Sequence, residues 1–158
     1  MRSSFVVLLV AAAALSACSP KKIPGTDIDD TSETRAVMGL LSEYRKAVEA
    51  RDAKGVISLC DESFSDDGGS ANPDDDLVFS NLERELSARF ARVQDVRLEM
   101  NVRRIELSED ERGARVTYSY TLNFRMPQFS ARTQSETDLK QMTLIRVDEK
   151  TWKITSGI

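Results

Sequence analysis

"VRLEMNVRRIEL", residues 96–107, changes its apolar face partway along. Val96, Leu98, Met100 and Val102 alternate with Arg97, Glu99 and Asn101, the period-two pattern of a strand with one buried side. The apolar set then slips by one, to Ile105 and Leu107. A one-residue slip inverts every later side chain, so a β-bulge at Arg103–Arg104 is the economical way to keep both halves on one core.

Downstream, "SEDERG" turns the chain, and the next strand alternates without a break. Val116, Tyr118, Tyr120, Leu122 and Phe124 face one way, and Thr117, Ser119, Thr121, Asn123 and Arg125 the other. "PQFSARTQSET" reads as a loop. "LKQMTLIRV" and "WKITSGI" follow as strands around a turn at "DEKT".

Upstream, the period is helical. In "TSETRAVMGLLSEYRKAVEARD", Val37, Leu40, Leu41, Tyr44, Ala47 and Val48 share one face, with Thr31 or Ser32 as the cap and Glu33 near the positive end of the dipole. Asp52 caps a shorter helix, "AKGVISLC", whose Val56, Leu59 and Cys60 face inward. A third helix is expected from just after Pro73 to about Arg92, with Phe79, Leu82, Leu86 and Phe90 as its stripe. Helices first and a long-stranded meander second make an α+β pattern.

Two stretches carry a resemblance. "YRKAVEARDAKGVISLCDESF" is similar to the opening helices of the NTF2-like (SnoaL-like) superfamily, where an Asp-containing turn joins a long helix to a short one. "MTLIRVDEKTWKI" resembles its paired final strands, with the turn just before the tryptophan. The resemblance covers residues 32–158. It implies a cone, with N-terminal helices packed on a curved antiparallel β-sheet that sometimes encloses a pocket.

The first residues carry an address. Arg2 is a basic n-region, and Phe5–Leu15 is an unbroken apolar run too short to cross a hydrocarbon core of ~30 Å as a helix. "LSAC", ending at Cys18, resembles the bacterial lipobox. That resemblance implies a lipoprotein signal peptide over residues 1–17, a diacylglyceryl thioether and N-acylation (palmitate) at Cys18, and a membrane held through that anchor. With no aspartate after the cysteine, it also implies the outer membrane, facing the periplasm. Residues 18–31, with two prolines, a glycine and three aspartates, read as the lipidated cysteine and a flexible tether.

Composition excludes more than it selects. The net charge is −4, and no basic face is present to displace counterions, so nucleic acid is not an expected partner. Histidine is absent, which removes Ser-His-Asp and Cys-His nucleophiles and His-containing zinc sites. No GxSxG, Walker A or GxGxxG motif occurs. Once Cys18 is acylated, Cys60 has no partner for an intramolecular disulfide and reads as a buried, inert thiol.

The acidic stretch "CDESFSDDGGSANPDDD", residues 60–76, fits no EF-hand register. Its Gly68, Gly69, Asn72 and Pro73 are turn formers, and Asp74–Asp76 suit a helix start, so it reads as a solvated connection. A looser Ca²⁺ site on Asp66 and Asp67 is the alternative, and no metal or cofactor is expected. No acid is placed on an apolar strand face, so no catalytic residue is nominated. Tyr44, Tyr118 and Tyr120 bring the polar tips of the inner faces and are the candidate ligand-binding residues. The polar sheet face carrying Thr117, Ser119 and Thr121 is the candidate surface for a homodimer or an envelope protein partner. Three functions are weighed, in this order: a membrane-anchored, non-catalytic interaction or scaffold module; a periplasmic binder of a small hydrophobic ligand; and an enzyme of isomerase or dehydratase type, which a buried carboxylate near Tyr118 or Tyr120 would favour.

Overall fold

The computed structural model of the chain describes residues 21–68 and 76–158. The first long helix, α1 (Ser32–Ala50), starts where Thr31 and Thr34 satisfy each other. Thr31 Oγ1 accepts from Thr34 N at 3.1 Å, and Thr31 N donates to Thr34 Oγ1 at 3.0 Å. Two of the amide donors that a helix start leaves unpaired are thereby satisfied. α1 stops at Arg51, which adopts the left-handed region at φ 56°. One residue later Asp52 caps α2 (Ala53–Leu59) by accepting from Gly55 N at 2.9 Å. Glycine is needed there, because a Cβ on residue 55 would lie 2.6 Å from the Asp52 carboxylate. The Asp-containing turn read from the sequence is therefore a cap that fixes the angle between two helices.

The third helix begins later than expected. Ser65–Asp66 (β1) pairs with Leu77–Val78 (β2), and only then does α3 (Phe79–Arg92) start. Leu77 is buried by this pairing, and Phe79 N donates to Phe64 O at 3.1 Å. Asn81 serves the helix start: its Oδ1 accepts from Val78 N at 2.9 Å, and its Nδ2 donates to Asp76 O at 3.0 Å. The first turn holds no acidic residue, so the expectation that Asp76 begins the helix is corrected. Gly69, Asn72, Pro73, Asp74 and Asp75 lie outside the described residues.

Four long strands follow as an antiparallel meander in the order β3-β4-β5-β6: β3 (Gln94–Leu107), β4 (Gly113–Met126), β5 (Ser130–Arg146) and β6 (Trp152–Ser156). The expected bulge is present. Val102 pairs with Tyr118 and Arg104 with Thr117, leaving Arg103 as the extra residue. The stretch read as a loop is mostly strand, because β5 starts at Ser130 and pairs with β4 along nearly its whole length. Its side chains are polar on both faces, so the apolar alternation that marks a half-buried strand is missing.

Val37, Leu82, Val116, Met142 and Ile154, each no more than 0 % exposed, mark the centre of the core between helices and sheet. The end of α2 is tied to the last strand, with Cys60 bridged to Ile154 and Asp61 N donating to Ile154 O at 2.9 Å. Cys60 is buried, and desolvation pushes its thiol up to about 12.

The flexible tether expected through residue 31 is also corrected. From Lys21 the chain is folded onto the domain. Lys22 bridges to Asp29 and forms a 2.7 Å ion pair with it, Ile23 N donates to Ile28 O at 2.8 Å, and Ile28 is buried. One isoleucine at the right point of a Pro/Gly/Asp-rich segment outweighs the composition around it.

Replacing Ile154 by Ala should cost about 2–5 kcal/mol, since the surrounding core cannot close the space left behind. Leu139→Ala, at a position 61 % exposed, should stay within about 0.5 kcal/mol. Urea denaturation of the two variants measures the contrast.

Candidate functional site

A cavity of about 300 Å³ lies between the helices and the concave side of the sheet. Its walls come from α1 (Tyr44, Val48), α3 (Leu86, Phe90), β3 (Val96, Leu98) and β4 (Leu122, Phe124). Each wall is the predicted inward face of its element. The helices and sheet thus bury their apolar stripes without meeting everywhere, and a mostly apolar space remains.

Tyr44, Tyr118 and Tyr120, nominated from three separate places in the sequence, line this one cavity. Tyr118 Oη donates to Gly157 O at 2.9 Å, and Tyr120 Oη donates to Glu136 Oε1 at 2.6 Å. Lys140 Nζ lies 5.7 Å from the centre of the Tyr120 ring and donates to Ile158 O at 3.0 Å. Gly157 is held further by Asp66, whose Oδ2 accepts from its amide at 2.8 Å. At φ 87°, with a Cβ that would sit 2.1 Å from Gln141 O, only glycine fits this position. Asp66 also accepts from Gly68 N at 2.9 Å through Oδ1. Both of its oxygens therefore hold backbone, and among the described residues no group of three His, Cys, Asp or Glu is arranged to hold a metal ion. Cys18 lies outside the described residues.

Burial raises the pKa of all three phenols. Desolvation is the main cause at Tyr44. At Tyr118 it is joined by the Asp66 charge, and at Tyr120 by the hydrogen bond to Glu136. They remain neutral through the physiological range and act there as hydrogen-bonding groups, not as bases.

Arg89, Glu136 and Lys140 also line the cavity and were not found by reading the sequence. Arg89 and Glu136 are exposed and mark the mouth. Glu136 was missed because it lies in the stretch that looked like a loop, whereas Lys140, in the stretch read as a strand, shares its face with Met142 and Leu144 and was passed over. Pairing of β5 with β4 places Lys140 opposite Tyr118 and Glu136 opposite Leu122, on the cavity side.

Solved structures with this architecture are numerous and distant in sequence. A ketosteroid isomerase-like protein from Erwinia carotovora atroseptica superposes with a TM-score of 0.66 at 12% identity, covering 81% of this chain and 95% of that one. An NTF2-like superfamily protein from Salmonella enterica serovar Typhimurium gives 0.65 at 11%, covering 80% and 88%. This chain has the NTF2-like fold. A protein from Novosphingobium aromaticivorans, provisionally assigned as a scytalone dehydratase, gives 0.67 at 15% identity over 79% of this chain and 80% of that one. No protein-family model and no curated protein matches the sequence. At such identities the likeness establishes the NTF2-like architecture and leaves the chemistry to the residues in the cavity.

The protein has three tyrosines, all of them in this cavity, which makes their titration directly observable. Phenolate absorbance should stay nearly absent at pH 10.5, where free tyrosine is mostly ionised. The folded state holds these protons more tightly than the unfolded state. Stability should therefore be complete below pH ~10 and decline as pH rises above it. A spectrophotometric titration, with and without denaturant, tests both.

Proposed function

We propose that the protein is a lipid-anchored envelope protein whose NTF2-like cone binds a small, largely apolar molecule bearing a polar group. The single observation that carries this reading is the cavity: about 300 Å³, apolar along Val48, Leu86, Phe90, Val96 and Leu98, with the three tyrosines among its lining residues. That volume is at the lower end of the roughly 300–1,000 Å³ of small-molecule sites. The tyrosines supply orientation, and burial keeps them neutral as hydrogen-bonding groups. The address comes from Arg2, Phe5–Leu15 and Cys18 and is proposed on their pattern: acylation at Cys18, in the outer membrane facing the periplasm.

A scaffold role is the second reading, and one feature favours it. Leu139 and Ile145 are exposed on the outer sheet face beside Thr117, Ser119 and Thr121, where a homodimer or an envelope protein partner would bury them.

Native mass spectrometry of residues 19–158, produced in a bacterial periplasm and never unfolded, tests ligand binding. A retained organic adduct is expected, and Leu98→Trp, which fills the cavity, should reduce its occupancy by about tenfold or more, equivalent to ~1.4 kcal/mol. A bare protein, or an adduct insensitive to that substitution, would leave only the scaffold role. For the anchor, cells fed a palmitate analogue should label the full chain, and Cys18→Ala should abolish the label.

A further inference from the structure

The tether is much shorter than its composition suggests, and that constrains how the domain meets a membrane. Folded structure begins at Lys21, where the Lys21 carbonyl accepts from Asp30 N at 2.6 Å. The hairpin it starts is fastened to the beginning of α1 by Thr34 Oγ1, which donates to Asp29 O at 2.5 Å. It also adjoins the bulge of β3, since Asp27, Ile28 and Asp29 line one depression together with Arg103 and Arg104. Three Cα steps separate Cys18 from Lys21, a reach of at most about 11 Å. Headgroups occupy about 6 Å on each side of the hydrocarbon core. An acylated Cys18 therefore leaves almost no room for water between the hairpin and the membrane.

The cavity lies toward the other end of α1. α1 runs from the hairpin at Thr31 to Arg51, whose guanidinium donates to Val93 O at 2.9 Å, and Val93 lines the cavity. β3 lies along the same axis in the opposite sense. Leu98, a cavity residue, donates its amide to Glu49 Oε1 at 3.1 Å near the end of α1, while the bulge at Arg103 adjoins the hairpin. Counted along β3 from Arg104 to Leu98 at ~3.3 Å per residue, the separation is about 20 Å. Counted along α1 from Thr31 to Val48 at 1.5 Å per residue, it is about 25 Å. Both measures start at the base of the hairpin, and its tip reaches further along β3, where Thr26 lines a shallow depression with Glu99, Met100 and Tyr120.

We propose that the Lys21–Thr31 hairpin and the neighbouring bulge rest on the headgroups of the membrane that holds Cys18, so that the cavity opens away from that membrane into the aqueous compartment. This rests on acylation at Cys18, as proposed above. This end carries Lys21, Lys22, Arg103 and Arg104 together with Asp27, Asp29 and Asp30, with Lys21 close enough to lower the Asp30 pKa and Arg103 donating to Ser119 Oγ at 3.3 Å, so its contact with headgroups is that of a mixed-charge surface whose cations can meet lipid phosphate. The ligand is accordingly received from the aqueous side and not drawn straight out of the anchoring leaflet.

The test uses the full acylated chain in vesicles of phosphatidylethanolamine and phosphatidylglycerol. One fluorophore is placed through Asp27→Cys on the hairpin, and another through Arg92→Cys at the end of α3. Quenching by headgroup spin-labelled lipid should be several-fold stronger at position 27 than at 92. Iodide in solution should quench position 92 more. Equal or stronger lipid quenching at position 92 would overturn the orientation. Inserting twenty Gly/Ser residues between Pro20 and Lys21 should abolish the difference, and its persistence would overturn the short tether as the cause. Intact mass separates the two levels. An unacylated Cys18 removes the anchor and this inference with it, whereas acylation with position 92 quenched removes the inference alone.

Discussion

One extra residue, Arg103, sets the shape on which the rest depends. With it, Val96, Leu98 and Val102 on one side of the bulge, and Ile105 and Leu107 on the other, all turn toward the helices. Without it, one end of a fourteen-residue strand would present its apolar side chains to water. A bulge also bends the strand and increases its twist. The sheet consequently wraps around α1 instead of lying flat on it, and a curved sheet against straight helices encloses space.

That space survives because the core is dense at one end only. Around Val37, Val116, Met142 and Ile154 the helices and sheet interlock, and the Cys60–Ile154 bridge ties the end of α2 to the last strand. Toward the far ends of α1 and α3, Phe90, Leu122 and Phe124 are only partly covered. The polar groups at that end are assigned among themselves: Tyr120 with Glu136, Tyr118 with Gly157, and Lys140 with Ile158. Internal pairing of this kind lets a mostly apolar cavity remain open without leaving buried polar groups unmet.

The same axis links the two ends of the molecule functionally. The hairpin that closes over the start of α1 is also the closest folded structure to Cys18, and the cavity sits where α1 ends.

Much of this was legible in the residues. Thr31 and Asp52 announce both helix starts through their side-chain oxygens, the slip after Val102 announces the bulge, and the alternation from Val116 to Phe124 announces the inner face of β4. The tyrosines were found because they are the polar tips on those faces. The first half of β5 was illegible: a strand whose faces are both polar carries no period, and only its pairing with β4 gives it direction. Glu136 was hidden for that reason. The late start of α3 depended on pairing of Leu77 and Val78 with Ser65 and Asp66, and the short tether on the burial of Ile28. Each is a contact between segments distant along the chain. The sequence by itself determined the starts of α1 and α2 and the inward faces of α1, β3 and β4, because caps and periods act over a few residues. Tertiary structure alone decided that the inward faces fail to meet and leave a cavity toward the end of α1, because that follows from how distant elements pack.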